Sequence, residues 1–155
     1  MDNKGKTNAN QKPNPYKEKL NEYKNRFKED WIRKGCDKEM IEFTEDLGKF
    51  LVGDNKTDYK KNLSTSQFRN IYGEIKRIQV KGVDKEWTAF HMLRPKLAYV
   101  KGRNKDNGAV FLFVEIVSLA HACVDVNSPG MYDNFCNFME AILAYHRSYN
   151  KDNNN

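Results

Sequence analysis

Seven basic side chains in the middle of the sequence have the types and spacing that best suit binding to an anionic partner. Guanidinium and ammonium groups donate charge-assisted hydrogen bonds to phosphate oxygens, and arginine can do so through two parallel bonds. Arg69 and Lys76 are seven residues apart, as are Arg94 and Lys101, so each pair shares one face of a helix. The predicted nucleic-acid-binding residues are Arg69, Lys76, Arg77, Arg94, Lys96, Lys101 and Arg103.

The net charge is concentrated in the same region. The 155 residues include 27 Lys and Arg against 21 Asp and Glu, a formal charge of +6. Residues 56–105 hold 13 basic and 4 acidic side chains, a net +9, whereas residues 1–55 hold 12 and 11 and residues 106–155 hold 2 and 6. Such an excess attracts an anionic partner, nucleic acid before an acidic membrane, although a well-solvated surface is the commoner explanation for any single lysine.

This region lacks the sequence motifs of the common nucleic-acid-binding folds, and their absence predicts how it would contact a nucleic acid. It contains no helix-turn-helix, zinc-finger, RRM or KH pattern, which predicts contact with the nucleic-acid backbone rather than with base edges. Tyr72 and Tyr99 could stack on bases, but packing into the core is favoured for each.

No constellation for catalysis or metal binding is visible. The sequence has no Gly-rich phosphate loop, nucleophile elbow or paired carboxylates, and His121 with Cys123 is the only close His/Cys pair. A zinc site needs three or four converging ligands. We therefore expect neither enzymatic activity nor a metal or other cofactor.

Cysteine usage and hydropathy indicate a cytoplasmic protein. The three cysteines are odd in number and lack CxxC spacing, as expected of reduced thiols, and the polar N-terminus does not resemble a signal peptide. The longest apolar run, residues 109–126, contains Glu115, His121 and Asp125, so no membrane span is expected.

Amphipathic helices position the basic residues. Ser64 and Gln67 form a capping-box pattern, and Gly82 ends the helix that they begin. Residues at spacings of three and four form its apolar stripe: Phe68, Ile71, Tyr72, Ile75 and Ile78. Pro95 must kink or restart the next helix, and residues 109–126, apolar nearly all round, are interpreted as a central buried helix.

The whole pattern predicts an all-α fold, a single-domain bundle of about five helices over residues 16–149. Residues 1–15 and 150–155 have too few apolar side chains to offset the entropy of ordering, and are expected to be disordered tails.

Three stretches, in order, resemble a known family: "LSTSQFRNIY", "LRPKLAYVKGR" and "FCNFMEAILAYHRSY". They are similar to the signature stretches of the small subunit of type III-A CRISPR effector complexes, the Csm small subunit. The resemblance runs from about Leu63 to Tyr149. It implies an all-α, non-catalytic subunit, present in several copies along the complex and lining the channel where crRNA pairs with target RNA.

The implied partners are crRNA, target RNA, other Csm subunits and neighbouring copies of the chain, with no membrane. The positions that match the family's arginines are Arg69, Arg94 and Arg103, whereas Lys76, Lys96 and Lys101 rest on charge alone. Two alternatives stay open: a general sequence-nonspecific RNA-binding protein, and a purely structural subunit whose basic face contacts an acidic protein.

Overall fold

The computed structural model describes residues 15–53 and 62–150, and within these ranges it contains seven α-helices and no strand. The helices are α1 (Pro15–Arg26), α2 (Asp30–Arg33), α3 (Lys38–Val52), α4 (Thr65–Lys81), α5 (Trp87–Arg103), α6 (Gly108–Ala122) and α7 (Pro129–Tyr149). The all-α prediction is confirmed. The predicted tails, residues 1–15 and 150–155, lie outside the described residues except for Pro15 and Asn150.

Seven helices replace the expected five or so, partly because the periodic segment before Gly35 is divided. The turn between α1 and α2 lets α2 leave the direction of α1 and pack against α7, and Trp31 and Ile32 are both buried there.

Helix α6 lies in the core, as the sequence predicts. Ten of its residues are buried, and it contacts α1, α3, α5 and α7. Its cap is Asn107, whose side chain accepts hydrogen bonds from the backbone nitrogens of Ala109 and Val110 at 3.1 Å. A helix apolar on all sides is stable only when neighbours surround it, and α6 meets that condition.

Helices α3 and α7 approach closely enough for their backbones to touch. A Cβ atom at Gly48 would lie 2.8 Å from the backbone nitrogen of His146 and 2.8 Å from the Cβ of Tyr145. Aromatic rings fill the rest of this contact, with Phe43 of α3 and Phe138 of α7 stacked at 6.0 Å between centroids. Only glycine allows this separation without a shift of the atoms of α7.

Helix α4 begins and ends as predicted. Ser64 Oγ accepts a hydrogen bond from Gln67 N at 3.1 Å, Gln67 Oε1 accepts one from Ser64 N at 3.0 Å, and Gly82 ends the helix with φ of 93°. In the apolar stripe the buried residues are Phe68, Ile75 and Ile78, and the partly buried ones are Ile71 and Tyr72. The opposite face of α4 is exposed and charged.

Helix α5 runs through Pro95 without restarting. A proline at this position removes the hydrogen bond to the carbonyl four residues earlier, that of His91. Both Pro95 and His91 are exposed, so water can solvate the freed carbonyl and the helix tolerates the loss.

No helix within residues 15–53 and 62–150 has the length and apolar character needed to cross a lipid bilayer.

Candidate nucleic-acid interface

Helices α4 and α5 pack side by side, and together they carry all seven predicted binding residues. The structure does not gather these residues into one patch. It distributes them over the groove between α4 and α5, the groove between α5 and α6, and the outer face of α4.

The groove between α4 and α5, called the α4/α5 groove below, has a volume of about 510 Å³. Its floor consists of buried and partly buried apolar residues: Ile71, Leu93, Leu97 and Val100. Asn70 and Glu74 of α4 line one wall, and Lys96, Tyr99 and Arg103 of α5 line the other. The groove is therefore apolar below and polar along its rim.

Glu74 lines this groove, and its carboxylate pairs with two of the predicted binding residues. Arg77 donates to both of its carboxylate oxygens, from Nε to Oε2 at 3.0 Å and from Nη2 to Oε1 at 2.9 Å. Lys96 Nζ lies 3.4 Å from Glu74 Oε1, and Glu86 Oε2 lies 3.5 Å from Arg77 Nη1. The hydrogen bond from Arg77 is the main reason that the pKa of Glu74 falls to about 2.

On the other flank of α5, a groove of about 460 Å³ separates it from α6. Arg94 and Lys101 line it together with Glu115 of α6. Lys101 Nζ donates to Glu115 Oε1 at 2.9 Å, whereas Arg94 makes no ion pair or hydrogen bond with any residue that the structure describes. Lys101 is therefore already paired within the chain, whereas Arg94 is available to a partner.

Arg103 is held by Tyr99 rather than by a carboxylate. Its Nη1 donates to Tyr99 Oη at 2.9 Å, and its guanidinium lies 5.7 Å from the centroid of the same ring. Tyr99 is 63% exposed, so the prediction that it packs into the core is wrong; the helix turns it outward onto the groove rim. Tyr72 packs against the core, partly buried, as predicted.

Arg69 and Lys76 share the outer face of α4, together with Gly73. Lys76 Nζ donates to Gln79 Oε1 at 2.9 Å, and Arg69 has no ion pair or hydrogen bond with a residue in the described ranges. Neither side chain lines the α4/α5 groove. Both positive charges therefore face solvent, and neither has a carboxylate partner within residues 15–53 and 62–150.

The seven residues thus fall into two classes by their partners. Within the part of the chain that the structure describes, the residues without a carboxylate partner are Arg69, Lys76, Arg94 and Arg103, and those paired with a glutamate are Arg77, Lys96 and Lys101. All three arginines matched to the family stretches belong to the first class.

Sequence reasoning missed Asn70, which lies on the wall of the α4/α5 groove. Its side chain is exposed and makes no hydrogen bond to any described residue. Gln67 and Asn104 also line this groove, but their amides bond to each other at 3.2 Å and to the backbone. A lone asparagine gives no sequence signal that separates it from an ordinary surface residue.

The fold and this surface define a small helical bundle whose two middle helices, α4 and α5, present to solvent cations that have no carboxylate partner among the described residues. The family model described as Csm2 Type III-A matches residues 34–152. The chain therefore belongs to the Csm2 family of type III-A CRISPR systems, the small subunits of Csm complexes, and the resemblance in the three sequence stretches is confirmed. The match also extends well before Leu63, over α3.

Comparisons with curated proteins and with solved structures find no significant match to either.

Proposed function

We propose that this subunit binds the sugar-phosphate backbone of crRNA and target RNA through the unpaired cations of α4 and α5, and that several copies line the Csm complex. The observation that carries the proposal is that Arg69, Arg94 and Arg103 are exposed and have no carboxylate partner among the described residues. An arginine bound to a glutamate has its charge compensated and part of its five N–H donors occupied, whereas one without a carboxylate partner keeps both for phosphate oxygens.

We propose further that the subunit has no catalytic activity of its own. The two buried histidines have structural roles, because His121 Nε2 lies 2.8 Å from Phe90 O and His146 Nε2 lies 2.7 Å from Leu63 O. No group of three or more His, Cys, Asp and Glu residues within 15–53 and 62–150 could hold a metal ion. The purified chain should therefore leave RNA intact with or without divalent metal; cleavage that survives repurification and is lost on one substitution would contradict this.

The test of RNA binding is charge reversal at Arg69, Arg94 and Arg103, singly, with affinity for single-stranded RNA measured by fluorescence anisotropy over a range of salt. With roughly 3 to 5 phosphate contacts, the log–log salt slope of the unmodified chain should be about −2 to −4, and each reversal should flatten it by about one. Because these are exposed side chains, each change should alter stability by about 0.5 kcal/mol or less.

The matched control is Arg147→Glu, which makes the same charge change on α7 at an exposed residue outside the site. It should leave the salt slope almost unchanged. If the reversals unfold the chain, these arginines are structural and the interface is misplaced. If they leave both folding and RNA capture by the complex intact, the basic face contacts a protein partner instead.

A further inference from the structure

Away from Arg103, which lies beside Tyr99 on one wall, the α4/α5 groove is poorly suited to phosphate. Glu74 on its wall is ionised at neutral pH, since its pKa is about 2, and Arg77 and Lys96 are already paired with this carboxylate, Arg77 also with Glu86. The floor below is apolar. A carboxylate above an apolar floor disfavours an anion, so the group that this groove best accommodates is uncharged and largely apolar.

Tyr99 offers an aromatic surface at the edge of this groove. Most of its ring is exposed, and the hydrogen bond and cation–π contact from Arg103 hold the ring in one orientation. Exposed aromatic rings of this kind are the stacking platforms of single-strand-binding proteins, where each base contributes through its π face. The ring and the guanidinium together present an apolar face next to a positive charge.

Asn70 faces the same groove from α4. Its free carboxamide has one acceptor and two N–H donors, which matches the alternating donors and acceptors on the edge of a nucleobase. Tyr99 and Asn70 belong to opposite walls of a groove whose volume of about 510 Å³ falls in the range of roughly 300–1,000 Å³ that is usual for small-molecule sites. Such a groove can hold a planar group against one wall and contact its edge from the other.

We infer that the α4/α5 groove receives one unpaired base of the bound RNA, with the face of the base on Tyr99 and its edge at Asn70. The inference rests on the proposed RNA binding and extends it, because recognition then includes a base as well as the backbone. Charge complementarity selects RNA as the occupant, because Arg69, Lys76, Arg94 and Arg103 have no carboxylate partner among the described residues. A nucleic-acid strand supplies phosphates for these cations and, on the same strand, a flat base for the groove.

The experiment compares two probes that have the same phosphates, a short oligouridylate and an abasic ribose-phosphate chain of equal length. The unmodified chain should bind the oligouridylate about tenfold more tightly or better. Tyr99→Leu should lower this ratio to near one without changing the affinity for the abasic chain, and Asn70→Ala should lower it in part. Tyr99→Phe keeps the ring and should keep most of the preference.

Tyr149→Leu is the matched control, because Tyr149 is also an exposed tyrosine with a cation near its ring, Lys49, but lies on α7. This variant should retain the full preference for the oligouridylate. All variants are first compared by melting temperature, which should change by no more than a few degrees.

The outcomes separate the two proposals. If neither probe binds at low salt, the proposed RNA binding is wrong and the base site is wrong with it. If both probes bind equally, with the expected salt dependence, backbone binding stands and the base site is overturned. The base site is also overturned if Tyr99→Leu weakens both probes alike, or if it leaves RNA binding unchanged and instead prevents assembly with the other Csm subunits.

Discussion

Two helix–helix contacts in this bundle differ in how they are packed: the one between α3 and α7, and the one between α4 and α5. At the first contact, Gly48 brings two backbones together and aromatic rings fill the remaining space. At the second, side chains hold the helices apart and leave the α4/α5 groove open to solvent. The side chains of the first contact are packed against one another within the chain, whereas the second exposes an aromatic ring, an amide and charged groups that a partner can bind.

The difference indicates how a small bundle divides its sequence between folding and function. Where α3 meets α7, each side chain is either small enough or apolar enough to bury, and burial supplies the stability. Where α4 meets α5, Glu74 and its two cations form ion pairs near the surface. Because such pairs add little stability, this contact contributes less to folding than the contact between α3 and α7.

The largest expected effect that would test this comparison is at Phe43. Its side chain is 1% exposed and packs between Trp31 and Phe138, so Phe43→Ala should lower the free energy of unfolding by about 3–5 kcal/mol. Tyr99→Ala removes a similar ring from the rim of the α4/α5 groove and should cost about 0.5 kcal/mol or less. Urea denaturation followed by circular dichroism measures both, and equal losses would show that the two contacts do not differ as described.

Two glycine-to-alanine substitutions should change the free energy of unfolding in opposite directions. Gly48→Ala places a methyl group 2.8 Å from backbone and side-chain atoms of α7, and the forced separation should cost about 1–3 kcal/mol. Gly73→Ala places the methyl group in open space on the outer face of α4, where alanine favours the helix by roughly 0.5–1 kcal/mol. Thermal melting should show the first variant lowered and the second raised; a stabilised Gly48→Ala would mean that α3 and α7 are not in close contact.

The pH dependence of stability should show two windows, one set by the two buried histidines and a lower one set by Glu74 of the α4–α5 contact. Burial lowers the pKa values of His121 and His146 below their usual 6.5, so the unfolded chain takes up protons first as the pH falls. Their contribution is complete above about pH 6.5 and is lost below it, by at most about 1.4 kcal/mol per pH unit for each histidine.

Glu74 acts in a lower window. Its folded pKa of about 2 lies below the usual 4.5, so the stability that it contributes is present above about pH 4.5 and is lost as the pH falls towards 2. Melting temperatures across this range should show both declines. The double variant His121→Gln, His146→Gln should weaken the first decline and Glu74→Gln the second; a decline near pH 6 that persists in the double variant would contradict the assignment to these histidines.

The residues that direct local structure could be predicted from the sequence. The cap at Ser64 and Gln67, the stop at Gly82 and the burial of α6 all depend on neighbours within a few positions or on an apolar run, and all are confirmed. The break between α1 and α2 could not be predicted, because it depends on where α7 lies relative to Trp31 and Ile32.

The candidate site was predictable only as a set of charges. The Glu74–Arg77 pair is visible as an i, i+3 spacing, but Lys101 pairs with Glu115 fourteen positions away and Lys96 with Glu74 twenty-two positions away. Such pairs depend on how helices are placed side by side. The outward orientation of Tyr99, by contrast, could have been read from its spacing, because Tyr99 falls outside the stripe that Leu93, Leu97 and Val100 form on α5.

Leu63 is tied to two helices at once: its N–H donates to Leu51 O at 2.9 Å, and its carbonyl lies 2.7 Å from His146 Nε2. Helix α3 ends at Gly53, and the structure describes the chain again from Asn62, next to Leu63. The position of Leu63 is set by α3 and α7 together. These two hydrogen bonds fix where the chain enters α4, so the register of α4 depends on the ends of α3 and α7 as well as on its own cap.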